Sequence, residues 1–462
     1  MPYVEKEVSP LVFRAYDIRG VIDENFNEDA FYSIGKALSV RMKALNRSSI
    51  FLARDGRLTS ERLAEALKCG LLGSGIDVIE LGAVSSPVLY YATHLPQSDS
   101  GLIVTASHNP AEYNGIKMVL AGKTLTKSEI MDLYQIIQNG QFIEGQGKSS
   151  FLNILDAYAD LVVSNVHVAR PFKIVVDCGN GIAGPLVPKV LERLGCEVIP
   201  LHCEVDGHFP NHHPDPTIEE NLAELKDTVR KHQADIGLAF DGDADRLGVI
   251  TETGEMIWPD RLMMFYARDL LKKTKNATIV FDVKCSAFLT RIIEQGDGVA
   301  QMCPTGHSIV KSVMEEKGAI LAGEMSGHLF FKDRWFGFDD ALYSACRLLE
   351  LLSQSPLSPS QQFAQIPISV NTPEIKIPME EKDKFLFMQE FEKKAEFPKG
   401  RVIGIDGLRV EFADGWGLLR ASNTTPCLIA RFEAEDENAL EKIKTLFRKQ
   451  INQINPALEL PF

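Results

Sequence analysis

The sequence contains no run of about 18 uninterrupted apolar residues, the length a membrane-spanning helix needs, so no membrane span is expected. Its opening segment, MPYVEKEVSPLVFRAYDIRG, mixes acids and bases early and lacks the apolar centre of a secretion signal. Eight cysteines (Cys69, Cys178, Cys196, Cys203, Cys285, Cys303, Cys346 and Cys427) make neither a CxxC pair nor a His/Cys zinc spacing. Their scatter argues against a disulfide scaffold and a structural zinc site, and favours a reduced, cytoplasmic protein. Positive charge is scarce: 49 Lys and Arg stand against 63 Asp and Glu, for a formal net charge of −14. A nucleic-acid or anionic-membrane surface is therefore not expected, while a local basic pocket remains compatible with the balance. The GxSxG of an α/β-hydrolase is missing. The AGKT at Ala121–Thr124 lacks the upstream glycine of a nucleotide-phosphate loop, because Lys117 stands in its place.

What the chain does have is alternation. With 462 residues, 45% of them hydrophobic, it is long enough for several cores. Three strand-like runs each end on an aspartate and a turn: IFLARDGR at Asp55, KIVVDCGNG at Asp177 and TIVFDVKCS at Asp282. Each is followed by a helical stretch, a second strand (IDVIELG, CEVIPLHC, VAQMCPTGH) and a third strand running into a polar loop. Strands alternating with helices predict mostly parallel sheets with their loops gathered at one rim. After the Ser/Pro/Gln-rich connector SQSPLSPSQQ at 353–362 the texture changes. RVIGIDGLRVEF and GWGLLRASNTTPCLIARFEA alternate as strands, and DENALEKIKTLFRKQI closes as an amphipathic helix. This divides the chain into α/β domains at 1–152, 153–255 and 256–367 and an α+β domain at 368–462, the last free to move as a lid.

The loops after the third strands carry the chemistry. In LIVTASHNP the Asn109-Pro110 turn holds Ser107 and His108 at a strand's carboxyl end, where ligands bind in open α/β sheets. DGDADR sets Asp241, Asp243 and Asp245 at alternate positions, carboxylates that repel unless a cation joins them, and Arg246 adds a fork for an anion. An EF-hand would space its acids similarly, but its sixth-position glycine is Arg246 here and the flanks read as strands. GEMSGH offers Glu324, Ser326 and His328 for reading hydroxyls. RASNTTP offers Arg420, Ser422, Asn423 and Thr424, a set suited to a phosphate dianion. Gly179, Gly181 and Gly184 imitate a dinucleotide fingerprint with Glu204 beyond, but Pro185 and Pro188 crowd the following helix start. A dinucleotide oxidoreductase and a calcium-binding module are thus the rival classes.

Taken in order, TASHNP, DGDADR, GEMSGH and RASNTTP resemble the four signature motifs of the α-D-phosphohexomutase family over nearly the whole chain. FRAYDIRG and GHLFFKDRWFGFDDALYSACRLLELL look most like its bacterial branch acting on both mannose and glucose phosphates. Met325 stands where phosphoglucosamine mutases usually carry glutamine, which disfavours that alternative. The resemblance implies three similar α/β domains with mixed, mostly parallel sheets plus a C-terminal α+β domain around a central cleft. It further implies that Ser107 carries a phosphoryl group and that Mg²⁺ is held by Asp241, Asp243, Asp245 and a phosphate oxygen on Ser107. Arg246 would lie beside the transferred group, and His108 or Lys117 would move the sugar proton. Glu324 and Ser326, with His328 on the same loop, would grip the sugar, and Arg420, Ser422, Asn423 and Thr424 would hold the non-reacting phosphate. Tyr16, Arg19, Lys284 and His307 would line the ligand cleft. Expected partners are phosphosugars, with glucose 1,6-bisphosphate as activator, and neither nucleic acid nor membrane; a monomer is expected.

Overall fold

The computed structural model describes residues 3–23, 25–423 and 425–462. They form two compact units, one of Met1–Pro259 with Ser326–Phe363, the other of Asp260–Met325 with Ala364–Phe462. Among the described residues no helix is long and apolar enough to cross a membrane. All eight cysteines are free thiols.

The threefold recurrence seen in the sequence is a recurrence of topology. In the first unit, Ser49–Arg54 lies between Asp77–Ala83 and Gly101–Val104, all parallel. Lys173–Asp177 likewise lies between Glu197–Leu201 and Ile236–Phe240. In the second unit Thr278–Asp282 lies between Val299–Cys303 and Leu321–Gly323. Central runs such as Ile50–Ala53 and Ile174–Asp177 are buried at every position, as strands covered on both faces must be. Helices Glu28–Ala44 and Ser60–Gly73 pack against each other through Gly35 and Gly70. A Cβ at Gly35 would lie 2.5 Å from the Leu67 carbonyl oxygen, and one at Gly70 would lie 2.3 Å from that of Tyr32, so only glycine permits the approach.

Two of the third strands fold straight back. Gly101–Val104 pairs antiparallel with Tyr113–Leu120, and Ile236–Phe240 with Leu247–Thr251. The serine loop and the aspartate loop therefore occupy equivalent positions, each linking a buried strand to an antiparallel return. The sheets are mixed and mostly parallel. In the second unit the C-terminal strands Arg401–Ile403, Leu408–Phe412, Gly415–Ala421 and Cys427–Ala434 form an antiparallel sheet. Helices Glu381–Lys394 and Glu437–Ile454 cover it, burying Phe391, Phe432 and Phe447.

One expectation needs correction. The Ser/Pro-rich connector is not a slack linker: Ser358 and Gln361 exchange side-chain to backbone hydrogen bonds in the manner of a capping box and start a helix at Pro359–Phe363. Gln362 bonds the Leu352 and Leu357 carbonyls and Phe363 is buried. The residues from Ala364 onward form one compact unit with Asp260–Met325.

Candidate active site

Ser107 is buried and adopts φ 51°, a left-handed conformation that an L-residue keeps only where its surroundings enforce it. The enforcement comes largely from one side chain. Arg57 donates to the carbonyls of Ser107 (2.8 Å), Asn109 (2.5 Å), Pro110 (2.6 Å) and Tyr113 (3.1 Å). Its guanidinium is braced by Asp55 at 3.2 Å and lies over the Phe209 ring. Asp55 in turn accepts from the Arg57 backbone N–H and from Ser60. The Thr105 hydroxyl accepts the Ser107 N–H at 3.0 Å. The hydroxyl that emerges, Ser107 Oγ, donates to Asp241 Oδ2 at 2.7 Å and lies 3.2 Å from His108 Nδ1.

Across from the serine, Asp241 Oδ1 accepts the N–H groups of Asp245 and Arg246, which curls the loop. Gly242 is required there, since a Cβ would lie 2.3 Å from the Ser107 carbonyl oxygen. Asp243 Oδ2 accepts from Ser86 Oγ (2.6 Å) and Lys117 Nζ (2.6 Å), and Lys117 also bonds Asp245 at 2.5 Å. His328 Nε2 lies 3.2 Å from Asp245 Oδ1 and 3.3 Å from Arg246 Nε, while its Nδ1 meets Ser326 Oγ at 2.9 Å. Burial and the carboxylates of Asp245 and Asp243 push Asp241 well above the usual carboxylate range. Burial opposes the charge of Lys117, but Asp243 and Asp245 outweigh it and hold the ammonium well above the usual lysine value. Burial, with Arg246 and Arg19 nearby, holds the His108 imidazole well below the usual histidine value.

The three aspartates fit a divalent cation. Each offers a carboxylate oxygen within 4.8 Å of the others, all three are fully buried, and Asp243 Oδ1 has no hydrogen-bond partner. A cluster of hard oxygens with an orphaned acceptor suits Mg²⁺ better than it suits a solvated acidic turn. The rival motifs dissolve in the same place. The DGDADR flanks are paired strands, not helices. The apparent dinucleotide glycines serve packing: a Cβ on Gly181 would lie 2.8 Å from the Gly242 carbonyl oxygen, and one on Gly184 would lie 1.8 Å from that of Cys203.

Arg19 joins the first unit's network by donating to Asn109 Oδ1 at 2.5 Å and pairing with Asp17. Tyr16 is half-buried three residues earlier. The GEMSGH segment divides, with Ser326 and His328 in the first unit and Glu324 in the second. There the remaining residues are drawn together by two aspartates outside the four motifs: Asp282, which ends the third marker strand, and Asp406. Asp282 accepts from Thr305 Oγ1 (3.0 Å) and lies 3.7 Å from Lys284, which also bonds Glu374 at 2.5 Å. Asp406 accepts from the Thr305 N–H at 2.9 Å and from Arg420 Nε at 3.0 Å. Glu324 accepts the Gly306 N–H at 2.7 Å, beside His307 at its helix start. Ser422 closes its own turn, meeting the Thr425 hydroxyl at 2.8 Å and accepting the Thr425 N–H, with Asn423 between them. Thr424 lies outside the described residues. Arg57, Ser86, Asp406 and Glu374 were not anticipated. Only Arg57 left a signal, in the Asp55-Gly56-Arg57 turn that ends the first marker strand.

Models of four phosphoglucomutase/phosphomannomutase domains match the chain in order: α/β/α domain I at 10–144, domain II at 156–254, domain III at 258–368 and the C-terminal domain at 374–450. A phosphomannomutase/phosphoglucomutase of Pseudomonas putida is 48% identical, over 98% of this chain and 97% of that protein. A phosphoglucomutase of Neisseria gonorrhoeae is 46% identical, over 97% of this chain and 98% of that protein. The crystal structure of a phosphoglucomutase/phosphomannomutase family protein from Burkholderia thailandensis superposes with a TM-score of 0.94 at 43% identity, covering 98% of this chain and all of that one.

Proposed function

Because the chain belongs to the phosphoglucomutase/phosphomannomutase family, we propose that it interconverts hexose 1-phosphates and hexose 6-phosphates of mannose and glucose. The reaction runs through a phosphoserine at Ser107 and a hexose 1,6-bisphosphate. The observation that carries this reading is Ser107 Oγ itself, lifted out of a left-handed turn to within 2.7 Å of the first of three buried aspartates. Phosphoryl transfer asks the protein mainly for positioning and charge neutralisation. Arg57 supplies the first by fixing the loop, and Arg246 supplies part of the second. Asp241, Asp243 and Asp245 would hold Mg²⁺, which when bound would offset negative charge on the transferring oxygens. His108 is the better candidate to move the proton: its Nδ1 already faces Ser107 Oγ, whereas Lys117 is committed to two carboxylates.

Of the second unit's residues, Glu324, Lys284 and His307 are assigned to the sugar, with Ser326 from the first unit. Arg420, Ser422, Asn423 and Thr424 are assigned to the phosphate that is not reacting. Tyr16 and Arg19 complete the ligand set. If grip falls on the 3- and 4-hydroxyls, the 2-hydroxyl goes unread and both sugars are accepted. The four-domain division at 152/153, 255/256 and 367/368 is retained. Glucose 1,6-bisphosphate would prime an unphosphorylated Ser107. The test is an assay of purified protein with mannose 1-phosphate and glucose 1-phosphate, Mg²⁺ and trace glucose 1,6-bisphosphate. Conversion of both supports the reading. Conversion of neither overturns it.

A further inference from the structure

Two thiols outside the catalytic network face each other at the ends of paired strands. Cys178 follows Lys173–Asp177 and Cys203 follows Glu197–Leu201, strands in parallel register with Asp177 opposite Leu201. Pairing continues past the strands: the Cys178 N–H reaches the Leu201 carbonyl at 3.1 Å and the Asn180 N–H reaches that of His202 at 2.8 Å. His202 takes φ 48°, and the bend leaves the two Sγ atoms 3.4 Å apart. Closing the bond asks the sulfurs to approach by only about 1.4 Å.

The pair is asymmetric in a useful way. Cys203 is half-buried and within reach of a small oxidant, whereas Cys178 is fully enclosed. Contact with the Cys178 sulfur draws the Cys203 thiol below its usual value, while burial pushes Cys178 up. Cys203 is thus the sulfur suited to attack an oxidant, and Cys178, 3.4 Å away, is the one placed to resolve it.

The pair also abuts the catalytic loop. The Cys178 carbonyl accepts the Gly181 N–H at 2.7 Å, and the Ile182 N–H donates to the Gly242 carbonyl at 3.1 Å. Gly242 in turn sits so close to Ser107 that a Cβ would come within 2.3 Å of the serine's carbonyl oxygen. Movement at Cys178 therefore has a path of three close contacts to the serine loop.

We propose that Cys178 and Cys203 form a redox site which a peroxide closes to a disulfide, and that closure slows turnover. The Cys203 thiolate attacks one peroxide oxygen, the O–O bond breaks, and the departing oxygen leaves as water, giving a sulfenic acid. The Cys178 sulfur then attacks the Cys203 sulfur, the S–O bond breaks, and a second water leaves. Two thiols lose two electrons and two protons in all, and the peroxide takes them up. The redox chemistry stands by itself; the effect on turnover rests on the mutase reading.

The experiment treats the full-length protein with hydrogen peroxide, blocks free thiols, digests without reductant and maps the peptides by mass, with turnover followed in parallel. The expected result is a peptide pair joined through Cys178 and Cys203 and lighter by two hydrogens. Turnover should fall several-fold and return with dithiothreitol. Cys203→Ser should keep its basal turnover and lose the sensitivity, and Cys178→Ala should do the same. Oxidation mapping to other cysteines, Cys203 oxidised alone with Cys178 still open to alkylation, or a joined pair with unchanged turnover would each overturn the proposal. Absence of turnover before any oxidation would strike the mutase reading instead, and the peptide map would still decide whether the redox site exists.

Discussion

At the scale of single residues, the serine loop shows how chemistry can be visible in a sequence while its support is not. Ser107 and the three aspartates stood out because their loops sit at strand ends, where ligands bind in open α/β sheets, and match two of the family's four signature motifs. Arg57 was marked only by its Asp-Gly-Arg turn, since a guanidinium that collects four backbone carbonyls leaves no pattern among the residues it holds. Ser107→Ala should abolish turnover and remove a single-phosphate fraction from the intact mass. Phosphate persisting in that variant would place the nucleophile elsewhere. Arg57→Lys keeps a cation beside Asp55 but cannot present the planar fork that reaches four oxygens. Loss of charge-assisted bonds of this kind costs about 1.5–3 kcal/mol. If that cost is felt as misplacement of Ser107, kcat should fall roughly 10- to 100-fold with KM little changed. A variant with wild-type kcat and only a lower melting temperature would reduce Arg57 to a structural prop.

At the scale of elements, the strand–helix–strand blocks were legible because buried parallel strands read as short apolar runs ending on turn residues. The antiparallel returns were less so: Tyr113–Leu120 follows a loop broken by Asn109-Pro110, whose polar residues conceal the strand behind it. It is the return from the third strand that sets Lys117 against Asp243 and Asp245. A chelator should stop turnover and Mg²⁺ restore it, while Asp243→Asn should lose both the activity and the metal dependence. Normal Mg²⁺-dependent turnover in Asp243→Asn would argue against a shared metal site. The block carrying the thiol pair holds a second titrating contact, His212 Nε2 to the fully buried Asp177 at 3.0 Å. Burial lowers the affinity of this imidazole for its proton, but the bond to Asp177 outweighs it and raises the folded value above 6.5. The folded state then binds more protons than the unfolded one. Its contribution is complete below pH 6.5 and is lost as pH rises through the raised value. His212→Gln should therefore lower stability by roughly 1.5–3 kcal/mol at pH 6 and by progressively less towards pH 9. Urea midpoints across that range check it, and a constant difference would exclude the ion pair as its source.

At the scale of the whole chain, four sequence blocks become two compact bodies, and the regrouping depends on buried polar links that carry no periodicity. In the second body Arg409 stacks 3.9 Å from Trp416 and bonds the Val283 and Cys285 carbonyls at 2.7 Å each. Glu433 accepts from Trp416, Ser286 and the Ala287 N–H. These contacts clasp the turn that bears Lys284 and tie the C-terminal sheet to Thr278–Asp282, so the RASNTTP loop is carried on a larger body than its connector suggests. A mutase that turns its intermediate around must keep a grip on a bisphosphate while no covalent bond holds it. We assign that grip to Arg420 of the second body, which is buried and has its Nε fixed by Asp406, which Thr305 also holds. A guanidinium already oriented loses little freedom on taking a phosphate. Arg420→Ala should therefore weaken substrate and transition-state binding together by about 1.5–3 kcal/mol. Asp406→Ala, which keeps the cation but frees it, should do the same to a smaller degree. The more discriminating measurement is the intermediate itself. Followed by ³¹P NMR from a labelled 1-phosphate, Arg420→Ala should release more free 1,6-bisphosphate per turnover than the parent, with Asp406→Ala between them. Normal substrate binding and no extra bisphosphate in Arg420→Ala would show that the reorienting sugar is held by other groups.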